Sequence, residues 1–346
     1  MAPKPITLKE IAKLAGVSIT TVSRVINQSN TKAASKEVQN KIWEIVRETN
    51  YIPNTAARNL KMQNFDSSET VTSRTIGCIF ARSSANDINP FFSEIARSLE
   101  QEAFKLGYIL KYSISSYDIN NPNTYNFLKT NNVNGIAILG RYNKELLHFV
   151  KKHYKHVIYT GLNKPIDASY DQVICDGYQA AIAAVKYLYE LGHNKIGYLG
   201  EIDNEVRYQG YCHAIETLGL PLKKGNIIST SFSSEGGYNA VKDFLKNEND
   251  ITALFCGNDL TAIGAIKAIK ESGLKVPDDI SIIGVDNIDT AQYISPMLTT
   301  VHVPVEELGR MTAKILIDRI ENGKNLAMKI ELPFSIVVRE SCRLIP

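Results

Sequence analysis

From Thr75 almost to the C-terminus, short apolar runs alternate with stretches of helical periodicity, and this alternation limits the fold more than any other feature of the chain. A short run, apolar throughout and followed by a helix, suits a strand covered on both faces, as in parallel sheets wrapped by helices. Strands are expected at TIGCIFA (75–81), YILKYSI (108–114), GIAILG (135–140), VIYTG (157–161) and QVICD (172–176). They continue at KIGYLG (195–200), IIST (227–230), ALFCG (253–257), SIIGVD (281–286) and TTVHV (299–303), with a last strand in KIELPFSIVVRE. Helices are expected at 92–106, 177–191, 207–218, 260–272 and 305–321. So many strands are better shared between two sheets that face each other across a cleft than placed in one. Open α/β sheets bind ligands beyond the carboxyl ends of their strands. That rule selects Asn89, Phe91, Phe92, Arg141, Asp176, Arg207, Asn258 and Asp286 as candidate ligand contacts. Asp259 is read instead as a cap for the helix that follows it.

Residues 1–60 read as short helices only. Thr7 can cap a helix built on Leu8, Ile11, Ala12, Leu14 and Ala15. Gly16-Val17-Ser18 then breaks it, with glycine allowing a sharp turn and Ser18 offering a second cap. A second helix from about Ile19 to Ile26 turns Val22, Val25 and Ile26 inward and leaves Thr20, Thr21, Ser23 and Arg24 outside. A third begins at Ser35-Lys36-Glu37-Val38 and ends near Asn50. Tyr51-Ile52-Pro53 must be extended before the proline. Asn54 can cap one more short helix running to Leu60, too short to be stable alone in water. The polar stretch that follows, up to Thr75, reads as a linker.

The net charge of +3 speaks weakly against a nucleic-acid partner, but the average hides a division. Met1 to Asn64 holds ten Lys or Arg and four Glu, a local charge of +6, which leaves −3 for the rest. A basic helix-turn-helix head on an acidic body places phosphate contacts on the head. In such a head the second helix enters the major groove, where Arg24 offers a bidentate fork to a guanine.

The five cysteines are odd in number and scattered without a C-x-x-C pair, which suits reduced thiols and a cytoplasmic setting. No apolar stretch approaches the roughly 18 residues of a membrane span, and the N-terminus lacks the apolar core of a secretion signal. The enzyme signatures G-x-x-x-x-G-K-[ST], H-E-x-x-H and G-x-S-x-G are missing, as is any metal-ligand spacing. Neither catalysis, nor a cofactor, nor a metal is expected.

Over essentially its whole length the chain resembles the LacI/GalR transcription repressors. The most specific segments are IAKLAGVSITTVSRVIN and YIPNTAARNL, followed by LGHNKIGYLG, RYQGY, GNDLTAIGAI, GVDN and LTTVHVPVEELGRMTAKIL. The resemblance implies a helix-turn-helix domain at 1–50, a hinge helix at 51–61 and a linker at 62–74. It further implies a periplasmic-binding-protein-like core of two Rossmann-like subdomains, 75–173 with 304–332 and 174–303 with 333–346. Ile19, Thr20 and Arg24 would be the main specificity positions, while Ser18, Thr21, Ser23 and Asn27, with Thr7, would hold phosphates or orient the helix. Asn54, Ala57 and Leu60 would belong to the paired hinge helices, with Leu60 wedged into the minor groove. Two departures stand out: Ile19 and Thr20 are short and mainly apolar, which favours thymine methyl contact and shape, and the linker is longer than the family pattern.

The function implied is a homodimeric repressor of a carbohydrate-utilisation operon that binds double-stranded, palindromic operator DNA. A small sugar in the cleft would control it, and LGRYNKEL and RYQGYCHAI look most like the galactose and galactoside branch. A dimer is preferred because no heptad pattern follows KIELPFSIVVRE. Rival readings are a catabolite-control regulator with a phosphoprotein co-repressor, a purine- or nucleoside-responsive regulator, and a sugar-binding protein or enzyme without a DNA role. The helix-turn-helix opposes the last of these.

Overall fold

The computed structural model describes residues 6–26, 34–49, 74–81, 90–114, 122–140, 144–163, 170–247, 249–323 and 326–345. The chain divides into two compact units, residues 1–72 and 73–346.

The first unit contains α1 (Leu8–Ala15), α2 (Ile19–Ile26) and α3 (Lys36–Glu48). Ile11, Ala12 and Ala15 of α1, Val22 and Val25 of α2 and Ile42 of α3 are buried together as one apolar cluster. Each of these helices is short and gains stability from that shared face rather than from its own propensity.

The second unit holds two six-stranded sheets. The first is built from β1 (Thr75–Ala81), β2 (Ile109–Ile114), β3 (Gly135–Gly140), β4 (Val157–Gly161), β5 (Asp171–Cys175) and β11 (Lys329–Leu332), in the order β11-β5-β4-β3-β1-β2. The second is built from β6 (Ile196–Gly200), β7 (Ile227–Ser229), β8 (Ala253–Cys256), β9 (Ser281–Asp286), β10 (Thr299–His302) and β12 (Ser335–Val337), in the order β12-β10-β9-β8-β6-β7. Every pairing is parallel except β10 with β12. β3, β5, β6, β8 and β9 are buried along their whole length, as strands covered on both faces must be. Edge strand β2 alternates between exposed and half-buried positions.

Helices α4 (Pro90–Lys105), α5 (Pro122–Thr130), α6 (Lys144–His153) and α11 (Val305–Asn322) accompany the first sheet, and α4 packs along α11. The second sheet carries α7 (Gly177–Glu190), α8 (Val206–Thr217), α9 (Ser234–Phe244) and α10 (Asp259–Glu271), in the pairs α7 with α8 and α9 with α10. One apolar cluster runs through both halves, from Ile76, Cys78 and Val173 to Tyr198, Phe255 and Val301.

Three helices, α5, α6 and α9, escape the sequence reading. In α9 the pair Gly236-Gly237 imitates a break, yet a side chain at Gly237 would collide with the Thr261 carbonyl of α10. Its glycine is a packing requirement between two helices. The stretch KIELPFSIVVRE, expected as one strand, is two: Pro333 lies between β11 of the first sheet and β12 of the second. A proline cannot donate to a ladder, so the break falls where the chain changes sheet. Likewise β5 continues past the expected crossover at 173/174 and stays in the first sheet to Cys175.

Candidate functional site

In the head, Thr7 closes a capping box. Its hydroxyl accepts from the Glu10 N–H (3.4 Å), while Glu10 Oε2 accepts from the Thr7 N–H (2.7 Å) and hydroxyl (2.8 Å). The Thr7 hydroxyl is thus engaged in holding the start of α1. Gly16 ends that helix with φ +73°, a left-handed conformation that costs glycine little, and its N–H reaches the Ala12 carbonyl. Ser18 Oγ then accepts from the Thr21 N–H (3.0 Å) and lies 2.8 Å from Thr21 Oγ1.

These local bonds aim α2. Val22 is fully buried, whereas Ile19 is 47% exposed and Ser18, Thr20 and Arg24 also lie at the surface. Thr21 and Ser23 are half-buried beside them. The structure therefore leaves Ser18, Ile19, Thr20 and Arg24 accessible at the surface. Asn27, Asn54, Ala57 and Leu60 lie outside the described residues.

The second candidate region lies at the carboxyl ends of the core strands. Asp176 follows β5 and caps α7, accepting from the N–H groups of Tyr178 (3.1 Å) and Gln179 (3.3 Å). Arg207 opens α8 and is buried with Glu205, a residue the sequence reading missed. The guanidinium donates from Nε to Glu205 Oε1 (2.6 Å), from Nη2 to Oε2 (3.1 Å) and from Nη1 to the Gly257 carbonyl (2.8 Å). Glu205 also caps α8 through the Arg207 N–H (3.1 Å). Phe232, equally unforeseen, lies under the Arg207 guanidinium at 4.2 Å. Burial opposes the charge of Arg207, but Glu205, by charge and hydrogen bond, and the nearby Asp286 outweigh it and push its pKa up.

The cap expected of Asp259 is supplied by Asn258 instead. Asn258 caps α10, its side-chain oxygen accepting from the Thr261 N–H (3.0 Å), and its amide reaches the Phe232 carbonyl (3.4 Å). Asp259 is a fully buried brace that accepts from the Thr300 hydroxyl (2.6 Å) and the Ile288 N–H (2.9 Å). Burial, and then the charge of Asp286, raises the Asp259 pKa well above the usual carboxylate range. Asp286 ends β9 at φ +119°, with Asn287 following at +58°. Non-glycine residues rarely adopt such backbone, and where they do the strain of roughly 1–3 kcal/mol is often held at functional sites. Burial, and after it the charges of Asp176, Glu331 and Asp286, pushes the Cys175 thiol up to about 12.

Phe91 is buried in the core cluster, with Phe92 edge-on to it at 5.0 Å and against Phe80 at 6.2 Å. Asn89 and Arg141 lie outside the described residues. Thr160, near the end of β4, is buried with a hydroxyl that has no hydrogen-bond partner among the described residues. A threonine inside an apolar run is the signal that could have found it. For Phe232, no sequence pattern would have done so. Among the described residues no cluster of His, Cys, Asp or Glu could hold a metal ion, and no helix is long and apolar enough to cross a membrane.

A helix-turn-helix head joined to a two-sheet core of this topology defines a DNA-binding regulator with a periplasmic-binding-protein-like body. Residues 7–54 match the bacterial regulatory proteins of the lacI family, and residues 185–342 match the periplasmic binding protein-like domain. The HTH-type transcriptional repressor PurR of Photorhabdus laumondii is 35% identical over 343 residues, 97% of this chain and 96% of that protein. Among solved structures, a LacI family regulator from Enterococcus faecalis with bound ribose is 31% identical, with TM-score 0.67, over 79% of this chain and all of that one. The Lac repressor bound to ONPG in its repressed state is 25% identical, with TM-score 0.77, over 98% of this chain and all of that one. The chain belongs to the LacI family and is a transcriptional repressor of that family. Its relatives are repressors, not enzymes.

Proposed function

We propose that this repressor binds palindromic operator DNA as a homodimer through the exposed face of α2, and that a small ligand in the core cleft sets the affinity. The supporting observation is the division of α2, whose apolar side is sealed into the head while Ser18, Ile19, Thr20 and Arg24 remain open to a partner. Arg24 then reads base edges, Ile19 and Thr20 contact thymine methyls, and Thr21, Ser23 and Asn27 meet phosphate or orient the helix. Asn54, Ala57 and Leu60 form the paired hinge, with Leu60 as the minor-groove wedge.

In the core, the ligand sits between the halves 75–173 with 304–332 and 174–303 with 333–346, the first limit moved past Cys175. Asp176, Arg207, Asn258 and Asp286 approach it from one side, and Asn89, Phe91, Phe92 and Arg141 from the other. Strained, buried Asp286 is the anchor, since one carboxylate can accept two N–H or two O–H groups. A purine-class effector is the better supported reading, because relatives alike over nearly their whole length carry the name PurR, for purine repressor. The sugar reading, galactose or a galactoside included, rests on ribose-bound structures such as that from Enterococcus faecalis.

The test is a panel of purine bases, nucleosides, pentoses, hexoses and galactosides, scored by calorimetry and by change in operator affinity. Tight binding confined to purines selects the first reading, and binding confined to sugars selects the second. On a palindrome of roughly 14–20 base pairs, affinity should fall steeply with salt. Affinity flat across salt would remove the DNA reading, and unchanged operator affinity in Leu60→Ala would remove the wedge.

A further inference from the structure

The strained pair Asp286-Asn287 at the carboxyl end of β9 is held by more than its own strand. Asn287, at φ +58°, donates its N–H to the Thr300 hydroxyl (3.4 Å), and the Asp286 carbonyl accepts from the Val303 N–H (3.4 Å). The Asn287 side chain is gripped from two sides. Its Oδ1 accepts from Arg339 Nη2 (2.7 Å). Its Nδ2 lies 3.1 Å from Nδ1 of His302, the last residue of β10 and the register partner of Asp286. Arg339 is itself pinned, through Nη1 to the Leu298 carbonyl (2.7 Å) and through its N–H to the Thr299 hydroxyl (2.9 Å).

The chain from Arg339 through Asn287 to His302 admits one arrangement of protons. A guanidinium only donates and does not lose its charge, so the amide atom facing it must be the oxygen. The amide nitrogen then faces the ring, and because it too only donates, His302 Nδ1 must offer a lone pair. The ring is thus neutral, with its proton on Nε2. A proton added at Nδ1 would set two donors against each other, and turning the amide over would only move the conflict to Arg339. Protonation of His302 therefore releases Asn287 from one of its two grips, and the strained backbone loses part of what over-determines it. Several charged groups surround the ring. β9 brings Asp286, the chain after β12 brings Arg339, and α10 brings Asp259, bonded to the Thr300 hydroxyl. Of the charged residues of α7, which packs against β10, Lys186 and Glu190 are exposed, and Asp176 before it is engaged in its cap. Burial, and then the charge of Arg339, holds His302 below its ordinary pKa and so keeps the ring neutral at neutral pH.

We propose that His302 is a positioning residue for the effector, whose neutral ring, acting through Asn287, holds Asp286 in its ligand-binding conformation, so that acid weakens the effector by releasing that hold. The proposal rests on the reading of Asp286 as the anchor of the cleft ligand. His302 acts through Asn287 and needs no contact with the ligand itself. Coupling between two equilibria is reciprocal, so a bound effector keeps the proton off the ring and His302 titrates at a lower pH in the complex than in the free protein.

The probes are adenine, hypoxanthine and ribose, titrated calorimetrically into the full-length protein from about pH 8 to about pH 5.5, a range that spans the ordinary imidazole value of about 6.5. Affinity for a probe that binds should hold down to neutral pH and fall about fivefold or more at the acid end, as for the loss of one hydrogen bond. His302→Asn, whose Oδ1 accepts near the place of Nδ1 but does not titrate, should bind as the wild type does at neutral pH and stay level in acid. His302→Lys, which only donates, should bind at every pH as weakly as the wild type does in acid. In parallel, NMR of protein carrying isotopically labelled histidine should show His302 as the Nε2–H tautomer, with a titration that moves to lower pH once the probe is bound. An acid loss that persists in His302→Asn, an Nδ1–H tautomer, or a titration unmoved by the probe overturns the proposal and leaves the cleft reading standing. Failure of every probe to bind at any pH removes the cleft reading for these ligands, and the proposal with it.

Discussion

Arg207 and Arg319 are buried in two regions of one core, each forked onto a carboxylate, and differ in what their remaining nitrogen meets. Arg207 finds its partner two residues away, and Gly257 closes Nη1, so the guanidinium is finished as part of the strand-end scaffold. Arg319 reaches across the fold to Asp171, and its Nη1, sealed from solvent, has no hydrogen-bond partner among the described residues. Burial alone therefore does not identify a ligand-binding arginine. The count of satisfied donors separates an arginine whose hydrogen bonds are complete from one that carries an unmet donor.

The largest expected effect attacks the first of these. Glu205→Ala strands a buried guanidinium and should cost about 3–5 kcal/mol of core stability in urea unfolding, with Asp171→Ala in the same range. Replacing both partners, Glu205→Leu with Arg207→Met, should recover most of the loss, because matched apolar groups remove the desolvation cost along with the attraction. A Glu205→Ala loss below about 1 kcal/mol would show that the pair is solvated and the contrast mistaken. It also follows that Arg207→Ala is a poor probe of effector binding, since it strands Glu205. Asp286→Asn is the cleaner one, and it should abolish the effector response while the core stays folded.

What was legible in the sequence was whatever short-range physics decides. Thr7, Gly16 and Ser18 announce their caps and turn within four residues of their partners, and the head follows. Buried parallel strands read as apolar runs for the same reason. Arg207, Asn258 and Asp286 were legible only as positions near strand ends, through topology and motif, and the groups they bond to were not. Nothing local says that Asp259 rather than Asn258 spans to Thr300, or that Phe232 lies beneath Arg207. The Arg319–Asp171 pair was invisible because its members sit on a helix and a strand joined only by the fold. Those contacts are set by tertiary packing, which one chain read without its fold does not encode position by position.

Asp259 gives an intermediate effect and sharpens the comparison from the acidic side. Its folded pKa is raised, so the folded core holds a proton that the unfolded chain has already released above the ordinary carboxylate range. Stability should therefore fall as pH rises from the unfolded pKa toward the folded one, by at most about 1.4 kcal/mol per pH unit for one proton. Asp259→Asn should flatten that slope in urea midpoints followed from acid to neutral pH. A slope that persists in the variant would place the proton elsewhere.

The smallest expected effect on stability belongs to a third arginine. Arg24 is exposed on α2, outside the apolar cluster that holds the head together. Arg24→Ala should change stability by no more than about 0.5 kcal/mol, the usual range for a surface position without a structural partner. Its operator affinity should nevertheless fall by about 1–3 kcal/mol, with relaxed discrimination at one base pair, if its fork meets a guanine. The two measurements together decide the reading. An equal loss on all sequences, with a shallower salt dependence, would make Arg24 a phosphate contact instead, and a loss of stability larger than the loss of affinity would place it with Arg207 among the arginines whose work is structural.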